Sequence, residues 1–134
     1  MENNKYKVFE AFAGMGAWTK AMKNLDIKFE IVGYSEIDPY CEKCKEITKH
    51  IWIDEHKTKC NVCGKTKTQW ASWAYSLLNK VPGSLNYGDI SGINEKLVPD
   101  HDIFVYSPPC QAFSSAGKQD GFNDARGVLF FDAL

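Results

Sequence analysis

The stretch from Tyr6 to Ser35 restricts the fold more than any other part of the chain. An apolar run from Tyr6 to Phe12 breaks at Ala13-Gly14-Met15-Gly16, and a helical period follows from Ala17 to Leu25 with Trp18, Met22 and Leu25 on one face. A second apolar run, Phe29 to Ser35, closes the unit. Strand, glycine turn, helix and strand with a connection of this length form a right-handed parallel crossover. The chain is thereby committed to an α/β architecture with a mostly parallel sheet, in which ligands bind beyond the carboxyl ends of the strands. Glu36 stands at such an end, 20 residues beyond Gly16.

The 134 residues, 44% hydrophobic and 25% charged, fit one compact domain. A formal net charge of -1 provides no global basic field, so any contact with nucleic acid must be local. The polar stretch Met1 to Lys7 and the short apolar runs contain no signal peptide or membrane span, which predicts a cytoplasmic protein without a membrane partner. In that compartment the five cysteines read as metal ligands or reactive thiols rather than disulfides.

Four of them pair by spacing. A helix is expected to begin after Asp38-Pro39, yet residues 41–67 carry seven Lys against four Asp or Glu and read as an insertion. Cys41-x-x-Cys44 and Cys60-x-x-Cys63 are separated by 15 residues, the spacing of a four-cysteine zinc site, and Gly64 suits the knuckle after the second pair. Ile51-Trp52-Ile53 alternates like a ribbon strand, and a segment with so little core needs metal to fold. Cys41, Cys44, Cys60 and Cys63 are therefore the expected ligands of a structural, coordinatively closed zinc. Alternatively, Cys41 is a small apolar residue on the helix after Pro39, leaving one reduced pair. The lysine excess reads as a solvated face or as a contact to a phosphate backbone.

From Thr68 to Lys80 the helical period returns, with a stripe of Trp70, Trp73, Ala74, Leu77 and Leu78 predicted to pack in the core, and Pro82-Gly83 ends it. Ser84 to Ile90 is predicted to hold a third short strand ending at Gly88-Asp89-Ile90. A fourth, Asp102 to Tyr106, runs into Ser107-Pro108-Pro109-Cys110-Gln111, where two prolines make the chain leave the sheet stiffly. Cys110 alone would read equally as a buried structural cysteine or as a nucleophile. As a thiolate it would add to an electron-poor carbon. Cytosine C6 becomes one when N3 is protonated, and the adduct makes C5 nucleophilic enough to accept a methyl group.

The turn Phe12 to Gly16 lacks the third glycine of a dinucleotide fingerprint, Thr19 standing there, and no Gly-Lys-Ser or Gly-Lys-Thr ending follows. A nucleoside without a pyrophosphate, such as S-adenosylmethionine, is the expected guest, with Glu36 on its ribose hydroxyls; a plain tight turn beside a solvated glutamate is the alternative. The final run, Gly127 to Leu134, begins as an apolar helix with no stop signal. A half-sheet of this size is expected to expose an edge and a helix face that demand a partner.

Phe12-Ala13-Gly14-Met15-Gly16, Glu36-Ile37-Asp38, Gly88-Asp89-Ile90, Pro109-Cys110-Gln111 and Arg126-Gly127-Val128-Leu129 occur in the order and context of DNA (cytosine-5) methyltransferases. The run from Pro109 to Phe122 resembles that family's catalytic loop almost throughout. The resemblance implies a partial, Rossmann-like S-adenosylmethionine-dependent methyltransferase fold over 1–134, the amino-terminal part of the catalytic domain, with a zinc-ribbon-like insertion at 41–67. It implies methyl transfer from S-adenosylmethionine to C5 of a cytosine flipped out of double-stranded DNA, through a covalent bond between Cys110 and C6. Phe12, Gly14 and Gly16 would line the cofactor site, with Glu36 on the ribose, Ile37 and Ile90 against adenine, Asp89 on its amino group, Leu129 nearby and Pro109 shaping both sites. Gln111 and Ser114 would contact DNA, as would Lys118 and Arg126 unless these are solvated loop charges. The cysteine element has no counterpart in the family's pattern. The chain stops before the family's Glu-Asn-Val segment and target-recognition domain, so a second polypeptide supplying the carboxyl-terminal half is an expected partner. A non-catalytic truncated or split-gene half that binds cofactor or nucleic acid, and an RNA substrate, remain open alternatives.

Overall fold

The computed structural model describes residues 5–110, 112–116 and 119–132. β1 (Tyr6–Ala11), α1 (Ala17–Asn24) and β2 (Phe29–Ser35) form the crossover expected from the sequence. β3 (Tyr40–Cys41), β4 (Glu46–Ile47), β5 (His50–Asp54), β6 (Lys57–Cys60) and β7 (Thr66–Thr68) precede α2 (Trp70–Asn79). β8 (Ile103–Tyr106) and α3 (Ala125–Asp132) complete the described elements.

The central sheet is parallel, in the order β2-β1-β8. Middle strand β1 buries four consecutive residues, Val8, Phe9, Glu10 and Ala11, as a strand covered on both faces should. Ala11 pairs with both Ser35 and Tyr106, so the three strands end level. The segments that leave them, beginning at Phe12, Glu36 and Ser107, start from one edge. β2 shifts register where Phe9 comes opposite Gly33, and a β-carbon there would stand 2.8 Å from the Phe9 ring.

Three sequence expectations are corrected. The predicted third strand is reduced to a single bridge between Tyr34 and Asn86, flanked by 3-10 turns at Gly83–Leu85 and Ile90–Gly92. Gly88, at φ 77°, takes the backbone out of the extended region and ends any ladder there. The helix expected after Pro39 is deferred to Trp70, because Tyr40–Cys41 instead pairs antiparallel with Glu46–Ile47, and β5-β6-β7 form a second antiparallel sheet.

The third correction concerns α2. Its apolar stripe faces outward, with Trp70 67%, Leu77 60% and Leu78 62% exposed, while Ser72 and Tyr75 are buried. The inward face is chosen by what it meets. Tyr75 stacks on Tyr34 at 4.3 Å, and its hydroxyl donates to Glu10 Oε2 at 2.8 Å. The same oxygen accepts from Thr19 Oγ1 at 2.6 Å, so one buried carboxylate joins both helices to β1. Among the described residues no helix is long and apolar enough to cross a membrane.

Candidate active site

Where the three parallel strands end level, a cavity of about 730 Å³ opens, a size suited to a small-molecule ligand. Phe12, Glu36, Ile37, Asp89, Ile90, Pro109, Arg126 and Leu129 all line it. The fold brings these residues together from five separate segments. The cavity also takes Tyr40, Ile47, Thr48 and Lys49 from β3, β4 and the link to β5, which sequence reasoning missed.

The glycine turn divides its work. Gly14, at φ 55°, has open space where a side chain would be, and its N–H donates to Glu36 Oε2 at 2.6 Å. Gly16 instead lies beneath α2: at φ 85°, an added β-carbon would stand 2.3 Å from Asn79 Nδ2 and 3.1 Å from the Tyr75 ring. Its missing side chain serves helix packing. Neither glycine is among the residues lining the cavity.

Burial pushes the Glu36 carboxyl above its ordinary value, against the downward pull of the Gly14 N–H. Asn86 holds the strand end: Glu36 N and Gly88 N donate to its Oδ1 at 3.2 and 2.9 Å, and its Nδ2 donates to Glu36 O at 3.2 Å. Sequence reasoning missed Asn86, whose only signal was its place shortly before Gly88. Asp89 Oδ1 accepts from Ser91 N at 3.0 Å and Ser91 Oγ at 2.8 Å, which orients its carboxylate at the cavity wall.

Cys110 follows Pro109 at this rim and is exposed, which removes the buried structural alternative. Its carbonyl accepts from Phe113 N at 3.0 Å and Ser114 N at 2.8 Å, forming a tight turn. Gly121 N donates to Ala112 O at 2.8 Å and pins the two sides of the following loop together. Phe122 meets Phe113 and Phe131, each at 5.0 Å between ring centroids, fastening the loop to α3. Trp18 Nε1 donates to Ser107 Oγ at 3.2 Å, tying α1 to the same segment. Ser114 Oγ accepts from Ala116 N at 3.3 Å. Arg126 forks onto Asp124 through Nε at 3.0 Å and Nη2 at 2.6 Å. Gln111 and Lys118 lie outside the described residues.

The four paired cysteines converge, their sulfurs all within 4.8 Å of one another. Cys41 and Cys63 stand 3.6 Å apart, Cys44 and Cys60 3.9 Å. Tetrahedral ligands at a zinc–sulfur distance of about 2.3 Å are about 3.8 Å apart, close to these two separations, so the donor set is compatible with the ion. Both pairs make the same knuckle, with Lys45 N donating to Cys41 O at 2.8 Å and Gly64 N to Cys60 O at 3.0 Å, each donor at positive φ. Because Cys41 lies on β3, the helical alternative for it is removed. Thr48 Oγ1 sits 3.1 Å from Cys60 Sγ, and this contact leads the interactions that pull the Cys60 thiol down to about 6.

Residues 49–134 match the sequence model of the family described as C-5 cytosine-specific DNA methylase. The chain is 34% identical over 131 residues to the orphan methyltransferase M.Rho11sI of Bacillus phage rho11s, covering 98% of this chain and 20% of that protein. It is 34% identical over 127 residues to M.SPRI of Bacillus phage SPR, covering 95% of this chain and 22% of the phage protein. Over 64 residues it is 50% identical to the type II methyltransferase M.HhaI of Haemophilus parahaemolyticus, covering 48% of this chain and 20% of that enzyme. The chain thus spans about a fifth of the length of these relatives.

Proposed function

The chain belongs to the C-5 cytosine-specific DNA methylase family, and on that premise we propose that it carries the cofactor site and the nucleophile of an enzyme methylating C5 of cytosine in double-stranded DNA. The observation that supports this most is the register that ends β1, β2 and β8 level around one cavity, with Cys110 next in the chain after the lining residue Pro109. The half-sheet with helices packed on it is, in this proposal, the front of a Rossmann-like methyltransferase fold.

The cavity residues suit a nucleoside. Glu36 presents a partly buried carboxylate for ribose hydroxyls, Ile37 and Ile90 supply apolar walls for adenine, and Asp89 offers an acceptor to an amino group; Phe12, Leu129 and Pro109 complete the surround. S-adenosylmethionine, when bound, supplies the electrophilic methyl group. Cys110 as thiolate forms a bond to C6 of the flipped cytosine, and the electrons of the C5–C6 double bond move to C5. Once C5 carries the methyl group, loss of its proton restores the double bond as the sulfur leaves C6. Gln111, Ser114 and Lys118 are proposed DNA contacts on the loop, whereas Arg126 reaches DNA only by giving up Asp124. Zinc on the four cysteines would be structural, since four thiolates leave no open coordination position.

Because the matched region is only about a fifth of each of these relatives, turnover is assigned to this chain together with a carboxyl-terminal half, whether in the same or a second polypeptide. Covalent trapping on DNA containing 5-fluorocytosine, with S-adenosylmethionine, tests the assignment. The chain mixed with a carboxyl-terminal half should give an adduct that survives denaturation, and Cys110→Ser should give none while still binding S-adenosylhomocysteine. An adduct persisting in Cys110→Ser would refute Cys110 as the nucleophile.

A further inference from the structure

Building on the cofactor and zinc assignments above, we infer that the four-cysteine element is a wall of the cofactor cavity, so that metal occupancy sets cofactor affinity. Tyr40, Ile47, Thr48 and Lys49 line the same cavity as Glu36 and Asp89. Thr48 belongs to both sites at once. It is buried, its N–H donates to Pro39 O at 3.1 Å, and its hydroxyl lies 3.1 Å from Cys60 Sγ. A displacement of Cys60 therefore carries the cavity wall with it.

Two further links run from the element to the cofactor-facing loops. The Trp52 indole is seated on Gly88, the residue before Asp89: a β-carbon on Gly88 would stand 2.5 Å from Trp52 Nε1. Gln69, at the end of the element, accepts from Asp38 N at 2.7 Å, and its Nε2 donates to Asp38 O at 3.2 Å and to Thr58 Oγ1 at 2.8 Å. Asp38 is two residues from Glu36. The element thus touches the cavity directly and grips both segments that flank it.

The element has little core with which to hold this position by itself. Ile51, Ile53 and Val62 are exposed, and its buried residues are the small ones, Cys41, Thr48, Thr58 and Cys60. A metal that cross-links both knuckles replaces the missing apolar core. Without it the wall has many positions, and the cofactor must bear the entropy of ordering it. By linkage, cofactor must then tighten metal binding by the same factor that metal tightens cofactor binding.

Calorimetric titration of S-adenosylhomocysteine into the protein, zinc-loaded, chelator-stripped and reloaded, tests this. Affinity should fall about tenfold on stripping and return on reloading, and saturating S-adenosylhomocysteine should raise zinc affinity by the same factor. Near-ultraviolet circular dichroism of the stripped protein separates loss of the wall from loss of the whole fold. Ile47→Ala, with all four cysteines intact, should keep one zinc per chain yet bind S-adenosylhomocysteine about three- to tenfold more weakly, whereas outward-facing Ile51→Ala should bind normally. Equal affinity in loaded and stripped protein, or in Ile47→Ala, overturns the coupling and leaves both parent assignments standing. Zinc content well below one per chain, or no binding of S-adenosylhomocysteine by loaded protein, overturns the coupling through the zinc or the cofactor assignment respectively.

Discussion

Glu10 is the most demanding single residue in the core, a carboxylate 2% exposed whose Oε2 takes both the Thr19 and Tyr75 hydroxyls. Burial raises its carboxyl above the ordinary value, and the two hydroxyl donors offset only part of that. The folded state therefore holds this proton more tightly than the unfolded chain. Its contribution to stability is greatest below the unfolded value and is lost as pH rises from there through the folded one. Glu10→Gln removes this titration. The melting temperature of the variant relative to the parent should rise as pH climbs above the ordinary carboxylate value of 4.5, and a pH-independent difference would sink the claim. None of this was legible in the sequence, where Glu10 sits inside an apolar run and its partners lie 9 and 65 residues away.

At the scale of elements, α2 shows why a helix is easier to read than its orientation. The sequence placed a helix over Thr68 to Lys80 and the structure has it at Trp70–Asn79, yet the face with most apolar residues points outward. Periodicity marks a stripe, but the partner decides which stripe is buried. Here the partners are Tyr34, Glu10 and, just ahead of the helix, Asp38 and Thr58 through Gln69, which is 1% exposed. Gln69→Ala strips Asp38 N and Asp38 O of this partner and leaves Thr58 Oγ1 with only its 3.0 Å contact to His50 Nδ1, and should cost about 1–3 kcal/mol in denaturant unfolding. A loss under about 0.5 kcal/mol, the scatter of surface substitutions, would mean that Gln69 does not fasten the element.

For the whole molecule, the parallel sheet and the antiparallel sheet β5-β6-β7 share no strand, so each depends on its own source of stability. The first rests on Val8, Phe9, Tyr34 and Tyr75; the second surrounds the cysteine cluster and buries almost no large side chain. Removing the metal should therefore speed amide exchange across β5, β6 and β7 well before β1 and β2 lose protection. Simultaneous loss in both sheets would show that the metal supports the entire fold rather than the inserted element.

The sequence by itself determined the parallel crossover, the glycine turn, the position of Glu36, the Pro-Pro-Cys exit and the four-cysteine pattern. Each is written in neighbouring residues, where local sterics and spacing act. Only the tertiary structure decided that three strands end level, that Asn86 stands where a third strand was expected, that α2 turns its tryptophans outward, and that the cysteine element walls the cavity. Those outcomes depend on contacts between residues far apart in the chain, Glu10 with Tyr75, Asp38 with Gln69 and Trp52 with Gly88, which no local period encodes.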